Sequence, residues 1–184
     1  LTRQINGALF TREEAIKQLT LGSEVVDNVD DAPLINAIES SLALTGSFFT
    51  VMKDFEYLRS RYFSEALGKY IVFRYGFSDA SYIVTSFGEH DNRMTLKLMD
   101  FFGDQSKHNA HIKHIIAKLE GVQILLQSWC GATDKQLLYD LYSAGFTTDA
   151  PVFLTCFYNL GELPQVLTGD DLFNYRPAMG DTDV

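Results

Sequence analysis

The sequence is short of the residues that would place it at once. Cysteine occurs twice and proline four times in 184 residues. Two thiols cannot staple a disulfide scaffold, and four prolines with 13 glycines exclude collagen-like and proline-rich chains. Positive charge is scarce: 15 Lys and Arg stand against 24 Asp and Glu, a net charge of −9. That balance opposes direct binding to a nucleic-acid backbone, which rewards clustered Lys and Arg. No apolar run reaches the ~18–20 residues of a membrane-spanning helix. The longest, around Ile71–Phe73 and Val122–Leu126, are short. No charged leader and apolar h-region opens the chain, which starts at Leu1. The expected location is therefore the cytoplasm or the inside of a particle or assembly.

The common catalytic signatures are missing too. There is no glycine loop to cradle phosphate, no serine nucleophile elbow, and no HExxH, CxxC or EF-hand pattern. The Glu-x-x-His pair of ferritin-like di-metal sites is absent as well. The balance leans away from catalysis, and no residue is assigned a catalytic role. Cys130 follows Trp129 with nothing arranged to activate a thiol. Cys130 and Cys156 read as two buried thiols, with one bridge as the alternative.

What is present is apolar and aromatic. The chain is 46% hydrophobic, with 14 Phe and 9 Tyr, enough apolar surface to exclude disorder. A chain of this length forms one domain with a sizeable core. Its charge is uneven. Residues 1–52 carry a net −4, residues 53–135 a net +1, and residues 136–184 a net −6. Arg59, Arg61, Lys69 and Arg74 are the one basic grouping, and they read as a solvated helix face.

Glycine punctuates apolar stretches of helical length, and start signals precede several of them. Thr11-Arg-Glu-Glu14 and Thr133-Asp-Lys-Gln136 fit the capping box, in which two orphan N–H groups are satisfied reciprocally. The punctuation predicts helices over 11–20, 31–45, 47–75, 78–87, 92–102, 106–130, 133–144 and 149–160. The expected fold is a mainly α single-domain bundle of about seven or eight helices over 1–168. An acidic C-terminal tail or docking arm follows over 169–184. The central element is the helix 106–130, whose Ile112, Ile115, Leu119, Val122, Leu126 and Trp129 make one apolar stripe. The alternative is a small β-meander over 70–98, because 70–75 and 81–87 are rich in β-branched and aromatic residues.

Three of the four histidines, His108, His111 and His114, fall within seven residues. His108 and His111 could share a metal with Asp104, since zinc and non-haem iron take such nitrogen and oxygen ligands. His114 reads as solvated. The competing reading is a helix start with polar residues beside the stripe and no cofactor. His90-Asp91 resembles the adjacent pair of HD phosphohydrolases, but no histidine precedes His90 to supply their upstream ligand. The pair reads as an acidic turn.

Twelve aromatic rings crowd residues 48–87, more than one helix pair buries easily. Tyrosine joins an apolar body to a polar tip, which suits an interface. Tyr57, Tyr62, Tyr75, Phe77 and Tyr82 are the candidate interface residues, joined by Leu172, Phe173 and Tyr175 of the tail. The function these features predict is a non-catalytic interaction or assembly protein. It would pair with itself or with a protein partner, as a subunit of a larger assembly, a phage or viral structural component among them, or as an adaptor or inhibitor. The alternatives are a small metal-dependent enzyme using Asp104, His108 and His111, and a binder of an apolar small molecule.

Overall fold

A computed structural model describes residues 1–27, 33–37, 55–63, 70–76, 80–90, 92–128 and 135–148. It overturns the helical bundle. The described chain is mixed α/β, built on a six-stranded sheet. The strands are β1 (Thr2–Ile5), β2 (Gly7–Ala8), β3 (Glu24–Val26), β4 (Tyr70–Tyr75), β5 (Ser81–His90), β6 (Arg93–Gly103), β7 (Gly121–Val122) and β8 (Ile124–Ser128). The helices are α1 (Arg12–Thr20), α2 (Phe55–Tyr62), α3 (His108–Lys118) and α4 (Lys135–Ser143), with 33–37 also helical. The large sheet runs β1-β8-β6-β5-β4-β3, and β2 pairs with β7 separately.

Strands β4, β5 and β6 form an antiparallel meander. The described parts of 78–87 and 92–102, expected as helices, therefore lie in β5 and β6, and the end of 47–75 lies in β4. The reason is coverage on both faces. Seven consecutive residues of β5, Ser81 to Phe87, are buried apart from the half-buried Ser86. A strand covered on both sides has no polar alternation to separate it from a short buried helix.

The expected 106–130 helix is also corrected. Helix α3 stops at Lys118, and Gly121 follows at φ +84°, a conformation that a Cβ disfavours. Beyond it Val122, Ile124, Leu126 and Ser128 are buried while the residues between them are more exposed. That is the period of a strand. Val122 and Leu126 lie four apart, a spacing that suits one face of either element, so the stripe ran across a real boundary.

Helices cover both faces of the sheet. On the first face Ala15 and Leu19 of α1, Ile112, Ile115 and Leu119 of α3 and Leu141 of α4 pack on Phe73, Ile83, Phe87, Leu96, Leu98, Ile124 and Leu126. On the second face Leu34, Ala37, Leu58 and Tyr62 pack on Val72, Tyr82, Val84, Met99 and Phe102. The two expected helices at the ends of the described sequence hold well: α1 carries the Thr11–Glu14 capping box, and α4 lies within 133–144. The expected helix 149–160, the tail 169–184, Cys130 and Cys156 lie outside the described residues. No described helix is long and apolar enough to cross a membrane.

Candidate functional site

Among the described strands of the large sheet, only one neighbouring pair is parallel. Strand β6 leads into α3, and the chain returns as β8 beside β6, pairing Thr95–Leu98 with Leu125–Ser128. The carboxyl end of such a pair, beside the helix that connects it, is where open α/β sheets place their ligands. Here β6 runs on past this pairing to Gly103. The register between β5 and β6 slips at the same level: Thr85 faces Leu98 and Val84 faces Asp100, leaving Met99 as the extra residue of a β-bulge. Bulges bend a strand and re-aim its side chains.

This bulge fixes which way Asp100 points. Leu96 and Leu98 belong to the first-face core, and Met99 belongs to the second. Asp100, opposite Val84, joins Met99 on the second face and meets Tyr62 of α2. The Tyr62 hydroxyl donates to the Asp100 carboxylate. Both are buried, Asp100 at 1% exposure and Tyr62 at 4%. Burial first, and then the Asp100 charge, push the Tyr62 hydroxyl above its ordinary value, so it remains a proton donor. The Tyr62 ring meets Tyr57 edge-on at 6.1 Å between centroids and Tyr70 at 4.9 Å. Arg61, the next residue along α2 towards its start, is half-buried.

A second polar group lies on the first face, at the start of α3. Gly103 closes β6 at φ +81°, and a Cβ there would stand 2.1 Å from the Ala80 carbonyl oxygen, so only glycine fits. Asp104 then caps a short turn of 3-10 helix, accepting from the Ser106 amide at 2.9 Å and the Ser106 hydroxyl at 2.7 Å. Lys107 Nζ lies 3.7 Å from its other oxygen. The Ser106 hydrogen bonds hold the Asp104 carboxyl below the usual range.

The histidines occupy separate niches. His108 Nε2 lies 3.3 Å from the Phe102 carbonyl oxygen, and its ring tilts against Phe101. His111 Nδ1 lies 3.0 Å from the Ser81 hydroxyl, and its ring stacks on Tyr75 at 5.4 Å. His114 packs on the other side of that contact, 5.5 Å from the Tyr75 ring. Burial, with His108 and His114 nearby, lowers His111 to about 3, so it is a neutral imidazole at ordinary pH. Burial and Lys118 lower His114 as well, which is half-buried rather than solvated.

The three residues singled out for a metal are thus brought to one corner of the fold, but each is bonded within it. Among the described residues no group of three or more His, Cys, Asp or Glu is placed to hold a metal ion. Of the residues singled out for an interface, Tyr62 and Tyr82 are core, Tyr57 and Tyr75 are half-buried. Phe77, Leu172, Phe173 and Tyr175 lie outside the described residues. Asp100 and Ser81 were missed. Asp100 had a signal: it is a lone carboxylate within the apolar run Leu98-Met-Asp-Phe-Phe102, and a charge in a buried strand needs a partner. Ser81 had none. No protein-family model, no curated protein and no solved structure matches the chain.

Proposed function

We propose that this chain is a small-molecule-binding α/β domain whose site is the carboxyl end of the parallel pair β6 and β8. Asp100 is its proton-accepting group. The observation that carries this reading is the bulge at Met99, which falls where β6 runs past its pairing with β8 and turns a buried carboxylate to one side of that point. Ser128, buried at the end of β8 with its hydroxyl 3.4 Å from the Leu98 carbonyl oxygen, adds a polar group on the other side. Buried ionisable groups beside a bulge are characteristic of working sites rather than of packing alone. A small-molecule panel tests the reading. A ligand should raise the melting temperature and protect the amides of 99–103 and 124–128 from hydrogen exchange. Asp100→Asn should weaken its binding. Native mass spectrometry of gently purified protein reads any ligand carried through purification. Protection confined to other parts of the sheet would refute the placement.

A second reading keeps the chain as an assembly protein. Its support is α4, where Tyr139 is 68% exposed and Tyr142 is 47% exposed, three residues apart and on one side of the helix. Light scattering tests it: a strict monomer across salt concentrations counts against self-association, and Tyr139→Ser with Tyr142→Ser should dissolve any oligomer.

A further inference from the structure

Asn6 is the one asparagine of the chain that is followed by glycine. It is also the single residue between β1, which ends at Ile5, and β2, which begins at Gly7. The two strands belong to different sheets. Strand β1 pairs Ile5 with Ile124 of β8, and β2 pairs Gly7 with Gly121 of β7. Asn6 stands in neither ladder. It is exposed, as are Gly7, Ala8 and Leu9 after it, so water reaches the whole joint.

The contact between β2 and β7 keeps residue 7 a glycine. A Cβ at Gly7 would stand 2.0 Å from the Gly121 carbonyl oxygen and 2.1 Å from its carbon, both backbone atoms with no room to yield. The ladder also sets the direction of the Gly7 amide. The Gln123 amide donates to the Ala8 carbonyl oxygen at 2.8 Å, so Ala8 is the residue of β2 that bonds toward β7. Backbone groups of successive strand residues point to opposite sides, which turns the Gly7 N–H away from β7.

We propose that Asn6 is a self-modification site, where asparagine deamidates and isomerises because the β2–β7 contact demands the glycine after it. The Gly7 nitrogen, deprotonated by hydroxide, attacks Asn6 Cγ. The new N–Cγ bond forms, the Cγ–Nδ2 bond breaks, and the side-chain nitrogen leaves as ammonia. Water then opens the resulting cyclic imide. Attack at Cγ gives aspartate, and attack at the Asn6 main-chain carbonyl gives isoaspartate. Glycine hinders the first step least, since no Cβ crowds its nitrogen. Both products add a negative charge, and isoaspartate also lengthens the main chain by one atom. That atom enters a joint one residue long, held between two fixed registers. Strand β1 also secures the end of α4: Arg3 Nη1 donates to the Ala144 carbonyl oxygen, and Thr2 and Thr147 exchange backbone hydrogen bonds at 2.9 and 2.8 Å. Loosening β1 therefore reaches Thr147 as well as β8.

The test ages the full chain at mildly alkaline pH and follows its peptides by mass spectrometry. The peptide holding Asn6 should gain the mass of an NH2-to-OH exchange before any other asparagine converts. It should separate into two products of equal mass, one of which accepts a methyl group from an isoaspartyl methyltransferase. Asn6→Gln should lose the conversion at this position. Hydrogen exchange on the isoaspartate form should show lost protection at the amides of residues 2–5 and at Thr147. Asn6→Asp, which adds the charge alone, should keep that protection. An Asn6 still intact after other asparagines have converted would overturn the proposal, as would conversion to aspartate alone. Isoaspartate formed with residues 2–5 and Thr147 as protected as in fresh protein would overturn the consequence drawn for β1. The wild-type peptides decide the chemistry even if Asn6→Gln does not fold.

Discussion

At the scale of the residue, the molecule is governed by a few polar groups buried within a largely apolar interior. Tyr62 and Asp100 are the costliest, since a buried carboxylate deprived of a donor bears its full desolvation penalty. Tyr62→Phe should destabilise the fold by about 1–3 kcal/mol, measured as a lowered midpoint in urea. His111 acts in the opposite sense. Its folded value of about 3 lies below the 6.5 of a free imidazole. Between those values the unfolded chain binds a proton that the folded chain refuses, so stability falls as pH drops from 6.5 toward 3. Above 6.5 both states are neutral at this residue and its contribution is flat. The expected slope for one such proton is about 1.4 kcal/mol per pH unit. Urea titrations of wild type and His111→Gln across that range check it: the slope of the variant should be shallower by the share of that one proton.

At the scale of the element, legibility followed local chemistry. Helix α1 was readable because its start is written in four residues: Thr11 accepts from the Glu14 amide at 3.2 Å, and Glu14 accepts from the Thr11 amide at 2.8 Å. Thr11→Ala should cost about 1 kcal/mol and speed amide exchange in the first turn of α1 before it affects the sheet. Helix α4 falls inside the expected 133–144, and Thr133 of the expected capping box lies outside the described residues. The meander β4-β5-β6 was visible only as an alternative. Its strands are covered by α3 on one side and α2 on the other, so their sequence carries continuous apolar character instead of alternation. The joint between α3 and β7 was hidden by the spacing of Val122 and Leu126, which fits both periods. The site was less legible still. His108 and His111 drew notice by type and spacing, yet each turned out to be bonded inside the corner it occupies. Asp100 owes its direction to a one-residue slip between two strands, and no local pattern announces such a slip.

At the scale of the whole molecule, one sheet serves two cores. Leu126 and Leu58 sit at 0% and 1% exposure on opposite faces. Leu126→Ala and Leu58→Ala should each cost about 2–5 kcal/mol, and the double variant should show near-additive loss, since the sheet separates the sites. All three should still unfold in one transition by far-ultraviolet circular dichroism, because neither face can keep its core once the strands part. Two resolved transitions would mean that the layers are independent.

The sequence by itself determined the composition of that interior, the capped helix α1, the position of α4, and the lack of an apolar run long enough for a membrane-spanning helix. Each depends on contacts within a few residues or on simple totals. Tertiary structure decided the rest. Whether 70–103 is helix or strand depended on what covers it from both sides, and the direction of Asp100 depended on the register of β6 against β5. Those are relations between segments far apart in the chain, and the opening scarcity of cysteine, proline and positive charge could exclude classes without settling any of them.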